Sequence, residues 1–142
     1  MKQILAAGVL MVATAFAQAQ NYNNGEDLSR FVTSEAFGKM SAAELKPIQK
    51  KVQAHLDKCV AATVKHLQQD SKSHDGVTAA MVQKHYQVWV PYYKTGCEIY
   101  AAEHEEEAQS RANLQMRCEV FSQSSFYSNL LAYQHKPLES CQ

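Results

Sequence analysis

The cysteines Cys59, Cys97, Cys118 and Cys141 and six histidines are the side chains of this 142-residue sequence with the widest chemistry. A thiolate can attack an electrophile, ligate a soft metal or be oxidised to a disulfide. Imidazoles serve as bases and metal ligands. The spacing argues against most of these uses. His55 and His66 lie about 16 Å apart along a helix, too far to share one ion. There is no HExxH, no His pair four residues apart, no CxxC and no CxxCH. Cys59 follows His55 by four, but an oxidised Cys59 cannot ligate. His104-Glu105-Glu106-Glu107 offers loose hard and borderline donors and reads as a solvated acidic turn. Glu103 and Glu107 would share a face of a continuing helix, with no sugar cleft signalled around them. His85, beside Trp89 in an apolar pattern, reads as a hydrogen-bonded residue at the edge of the core. With GxSxG and P-loop motifs also missing, no catalytic constellation, metal site or cofactor motif emerges, and the expectation is a protein that is not an enzyme.

The redox state of the cysteines follows from the first residues. MKQILAAGVLMVATAFAQAQ has a positive start at Lys2, an apolar stretch from Ile4 to Phe16 and a small-x-small site at Ala17-Gln18-Ala19. That layout predicts a secretory signal peptide over 1–19, too short to span a bilayer, and a single helical domain over 20–142. No later apolar run is long enough to cross a membrane. Export implies an oxidising compartment, with the periplasm expected first and the extracellular medium second. An even cysteine count there argues for two disulfides.

Formal charges balance at zero over the whole chain. Losing Lys2 with the signal leaves thirteen basic against fourteen acidic residues. Nine lysines lie between Lys39 and Lys94, and six glutamates between Glu98 and Glu119. The first half is therefore basic and the later segment acidic. No basic run is dense enough for nucleic acid.

Helical periodicity supplies the elements that position these groups. Leu28, Phe31, Val32 and Phe37 point to a short helix within 26–40. Ser41 and Glu44 form a capping box before a stripe of Leu45, Ile48, Val52, Leu56, Cys59, Thr63 and Leu67, a long helix to about Gln69. Pro47 is close enough to its start to kink the first turns. Thr78 can cap a second helix burying Met81, His85, Val88, Trp89, Tyr92, Gly96, Ile99 and Tyr100, bent at Pro91. A third covers roughly 112–133, with Leu114, Cys118, Phe121, Tyr127, Leu130 and Leu131, and His135-Lys136-Pro137 stops it. The fold class is all-α: an antiparallel bundle of three main helices plus a short N-terminal helix, cross-linked by two disulfides.

Four cysteines allow three pairings. On one straight helix Cys97 and Cys118 would be about 31 Å apart, beyond bridging distance. A hairpin turning near Glu107 makes them face each other. Cys97–Cys118 with Cys59–Cys141 is therefore favoured, and Cys59–Cys97 with Cys118–Cys141 is the rival.

The stretch HYQVWVPYYKTGC, 85–97, holds the only Trp and three of the seven tyrosines. Trp89, Tyr92 and Pro91 read as structural core around a bend, with Tyr93 and Lys94 on the outer face. Trp89-Val-Pro-Tyr92-Tyr-Lys94-Thr-Gly-Cys97, followed by Cys118 and Leu130, resembles the LprI-type lysozyme-inhibitor family over about 85–131. The resemblance rests on Trp89, Tyr92, Cys97, Cys118 and Leu130. The chain departs from the pattern at Pro91, at Tyr93, at Phe126 and in EHEEEAQS, which replaces a Gly-rich turn. The resemblance implies a small, exported, disulfide-linked helical protein, some of whose relatives are implicated in blocking lysozyme.

The expectation is thus an exported binding protein acting by protein–protein contact. Glu103, Glu105, Glu106 and Glu107, with Tyr93 and Lys94, would meet a basic hydrolase such as lysozyme. The alternative is a periplasmic immunity protein or stress chaperone.

Overall fold

The computed structural model describes residues 25–69, 76–132 and 141. The signal at 1–19, most of the polar turn at 68–76 and nearly all of the tail after 132 lie outside the described residues. Among the described residues the chain is helical without strands. Five helices follow one another: α1 (Gly25–Val32), α2 (Glu35–Lys39), α3 (Ala42–Gln69), α4 (Ala79–His104) and α5 (Ala108–Ala132). No described helix is long and apolar enough to cross a membrane.

The single short helix expected near the N-terminus is two, and the break has a local cause. Thr33 Oγ1 donates back to the Ser29 and Arg30 carbonyls at 3.0 and 3.1 Å. Ser34 Oγ donates to the Phe31 carbonyl at 2.7 Å and accepts from the Phe37 N–H at 3.2 Å. One residue thus closes α1 and caps α2, the local competition that Ser and Thr offer a helix. The break lets Phe31 and Phe37 meet edge to face, with centroids 5.1 Å apart.

α3 matches its pattern closely. Glu44 accepts from the Ser41 N–H at 2.8 Å, and Ser41 Oγ accepts from the Glu44 N–H at 3.4 Å, closing the capping box. Every residue of the expected stripe is buried, and Val60 joins it. Pro47 sits on an exposed flank inside an unbroken helix, where water can take up the carbonyl it strands.

The three long helices each pack against the other two. Polar pairs give their directions. Ala42 N–H donates to Asn113 and Gln49 to Glu119, so α3 and α5 run the same way. Tyr93 donates to Gln53 and Tyr86 to Asp57, so α4 runs against α3. Cys97 and Cys118 close the α4–α5 hairpin, with Cα atoms 5.5 Å apart. The core runs along the seam of all three and is closed by Leu28, Phe31, Phe37 and Met40 from the N-terminal helices.

Candidate functional site

The disulfide Cys97–Cys118 stands as expected. The second pair does not. Cys59 and Cys141 are buried, and their side chains are hydrogen-bonded rather than joined by a bridge. They lie in one cluster with His55 and Tyr127. The thiol of Cys59 is pushed well up by hydrogen bonding to Cys141 and by burial. Its sulfur is 3.6 Å from His55 Nε2, which is 3.3 Å from Tyr127 Oη. Tyr127 donates to the Cys141 carbonyl, so a tyrosine on α5 ties the chain end to the core. Desolvation holds the His55 pKa below its ordinary value. A thiol kept protonated this firmly is a poor nucleophile. No described set of His, Cys, Asp and Glu is arranged to hold a metal ion.

α4 is rotated by about one residue from the expected face. Val82, Tyr93, Cys97 and Ala101 are buried, and Tyr86 and Trp89 are half-buried. Trp89 is partly buried against the core, packed at 4.2 Å on Phe126 and 4.4 Å on Tyr93 between ring centroids. Tyr92 is not core: it is 76 % exposed, while its neighbour Tyr93, assigned to the outer face, is 4 % exposed. Pro91 is likewise on the exposed side of a continuous helix rather than in the core. The reason is Cys97. Its bond to Cys118 requires it to face α5, and steps of three and four back along α4 then bring Tyr93, Trp89, Tyr86 and Val82 inward. His85 is exposed, with its ring leaning on Phe126 at 5.4 Å.

The inward rotation puts phenols into a polar ladder. Gln123 of α5 has no exposed surface. Its Nε2 donates to Gln53 Oε1 at 2.9 Å and approaches Tyr93 Oη at 3.3 Å. Tyr93 itself donates to Gln53 Oε1 at 3.0 Å. Gln53 continues to Tyr86 and Asp57. Burial pushes the Tyr93 phenol up to about 12 and the Tyr86 phenol higher still, so both are donors at neutral pH. Gln123 Oε1 has no hydrogen-bond partner among the described residues. Such a ladder sets helix register, because a slip would strand several buried polar groups at once. It ends at a shallow groove of about 380 Å³ over Asp57, Val64, Gln83 and Tyr86. Periodicity did not signal Glu119, Gln123 and Ser124 as buried, since polar side chains count against burial.

At the other end of α4, the acidic residues come together around one connection. Glu103 is exposed in the last turn, and 105–107 join α4 to α5. Arg111 donates to the Glu105 and Glu106 carbonyls at 3.0 and 3.1 Å, and Ser110 donates to the Glu107 carboxylate at 2.7 Å. The side chains of Glu103, Glu106 and Glu107 project to solvent, Glu105 is half-buried and Lys94 is exposed. Above them, Met81, Val88, Tyr92, Ile99 and Tyr100 form an exposed apolar row on α4. Of the expected contact residues, Glu103, Glu106, Glu107 and Lys94 are exposed, Glu105 is half-buried and Tyr93 is buried. Tyr92, Ile99 and Tyr100 were missed as surface residues. Compared with known proteins, the chain matches no family model, no curated protein and no solved structure.

Proposed function

We propose that this chain is an exported, non-enzymatic binding protein of the lysozyme-inhibitor kind, whose contact surface is the C-terminal end of α4 with the acidic connection after it. The observation that carries the reading is the exposure of Tyr92, Ile99 and Tyr100 beside Glu103, Glu106 and Glu107. Exposed aromatics serve as anchors, and an acidic rim attracts a basic partner and speeds its approach. The Arg111 and Ser110 bonds hold the connection in shape, which lowers the ordering cost of binding. The partner class is a basic hydrolase such as a lysozyme, or a basic toxin if the chain is an immunity protein.

The same proposal includes the export signal at 1–19, a periplasmic location and an up-down-up arrangement of α3, α4 and α5. It includes a second bridge, Cys59–Cys141, formed on oxidation of the two buried neighbouring thiols. Titrating the oxidised chain into several lysozymes tests the function. Inhibition with a complex on size exclusion is expected, and no effect at micromolar protein would remove lysozyme as partner. Replacing Glu103, Glu105, Glu106 and Glu107 by Gln should slow association at low salt; an unchanged on-rate would take the acidic connection out of the interface.

A further inference from the structure

The apolar row on α4 has a spacing that fits one occupant. Met81, Val88, Tyr92 and Ile99 are 57, 60, 76 and 54 % exposed, and His85 and Thr95 between them are exposed too. The six positions 81, 85, 88, 92, 95 and 99 alternate steps of four and three. That is the 3.5-residue repeat of a helix seam that packs knobs into holes against another helix. The row lies beside the core face of Val82, Tyr93 and Cys97, so α4 carries two apolar faces, of which the packing among the described residues buries one.

The row is also symmetric about position 90. Run antiparallel against itself, it sets Met81 opposite Ile99, His85 opposite Thr95 and Val88 opposite Tyr92. Every apolar residue meets an apolar one, and the two polar residues meet each other. The flanking positions add complementary charge: Lys84 of one copy falls beside Glu98 of the other, twice by symmetry, and both are exposed in the single chain. A parallel pairing would leave Lys84 of one copy and Glu98 of the other about 21 Å apart along the axis, with no such charge contact. We infer that the outer face of α4 is a homodimer interface, in which two copies pair antiparallel through the row from Met81 to Ile99 about a two-fold axis near residue 90.

The row is about 27 Å long. Covering it in both copies removes roughly 1,000 Å² in total, at the low end of specific interfaces, so a weak, concentration-dependent dimer is expected. The arrangement leaves the two connections at 105–107 at opposite ends of the dimer. The dimer covers Tyr92 and Ile99, which the proposed function also uses, so a second copy and a basic partner would compete for this face; the test contains no partner protein, so the two readings fail separately.

Sedimentation equilibrium of the oxidised chain from about 1 to 500 μM should show a monomer–dimer equilibrium. Lys84→Glu and Glu98→Lys should each weaken it by about tenfold or more, and the two together should restore it. Tyr92→Glu should abolish it. Lys84, Tyr92 and Glu98 are all exposed, so far-ultraviolet circular dichroism should show each variant helical as the parent. A chain that stays monomeric to 500 μM overturns the inference. So does a double variant no better than the single ones, because the charge pairing is specific to the antiparallel register.

Discussion

Truncating Tyr93 should cost far more stability than truncating Tyr92, although the two are adjacent and identical in type. Tyr93 is 4 % exposed, its ring packs on Trp89 and its hydroxyl donates to Gln53. Tyr93→Ala removes the ring and leaves a cavity at the α3–α4–α5 seam, a change that costs about 3–5 kcal/mol for a buried aromatic. Tyr93→Phe keeps the ring and removes one donor. Gln53 Oε1 retains the Gln123 amide at 2.9 Å, so about 1 kcal/mol is expected. Tyr92 is 76 % exposed, and Tyr92→Ala should lie within about 0.5 kcal/mol of the parent. For roughly 120 residues the unfolding entropy is about 250 cal/mol/K, so Tyr93→Ala should lower Tm by about 12–20 °C and Tyr92→Ala by about 2 °C or less. Urea unfolding read by circular dichroism checks the order, at about 1 μM so that self-association does not contribute. A loss at Tyr92 equal to or greater than that at Tyr93 would refute the rotation of α4 and the burial argument built on it.

Four further outcomes follow from other parts of the molecule. Removing the Cys97–Cys118 bridge by paired Cys→Ser changes should cost about 3 kcal/mol for a loop of this length, and denaturant midpoints would reveal a smaller loss if the bridge does not form. Thiol titration of the oxidised chain in denaturant should find no free thiol if Cys59 and Cys141 join, and two if they stay apart. His55 has a lowered folded pKa, caused first by desolvation, so the unfolded chain takes up its proton first as pH falls. Its contribution to stability is present above the ordinary histidine range and lost as pH drops through about 6.5 toward the folded value; urea midpoints between pH 7.5 and 5 should fall, and His55→Gln should flatten that slope. Ser41→Ala should destabilise by about 1 kcal/mol through the lost cap. It should also weaken the acid sensitivity of Glu44, whose pKa is lowered by Ser41, first through the side-chain hydrogen bond and then through the backbone one.

The sequence alone determined the helical class, because apolar steps of three and four need no distant partner to be recognised. It determined the Ser41 and Thr78 caps and the α3 stripe for the same reason: each is settled within a turn or two of the chain. It favoured the Cys97–Cys118 pairing over its rival, since a hairpin brings those positions together, and the structure has that bridge. It did not determine the rotation of α4. Met81, Val88, Tyr92 and Ile99 are as apolar as Val82, Tyr86, Trp89 and Tyr93, so composition cannot rank the two faces, and the deciding signal was the phase of Cys97. Nor did it mark Gln123 as interior, because an amide is buried only where partners from α3 and α4 arrive together. Those meetings bring side chains about thirty to seventy positions apart within hydrogen-bonding distance, and local pattern carries no information on which distant groups will be near. The acidic connection that the charge pattern located is therefore where it was expected. The aromatic beside it, Tyr92 in place of Tyr93, was chosen by the tertiary structure.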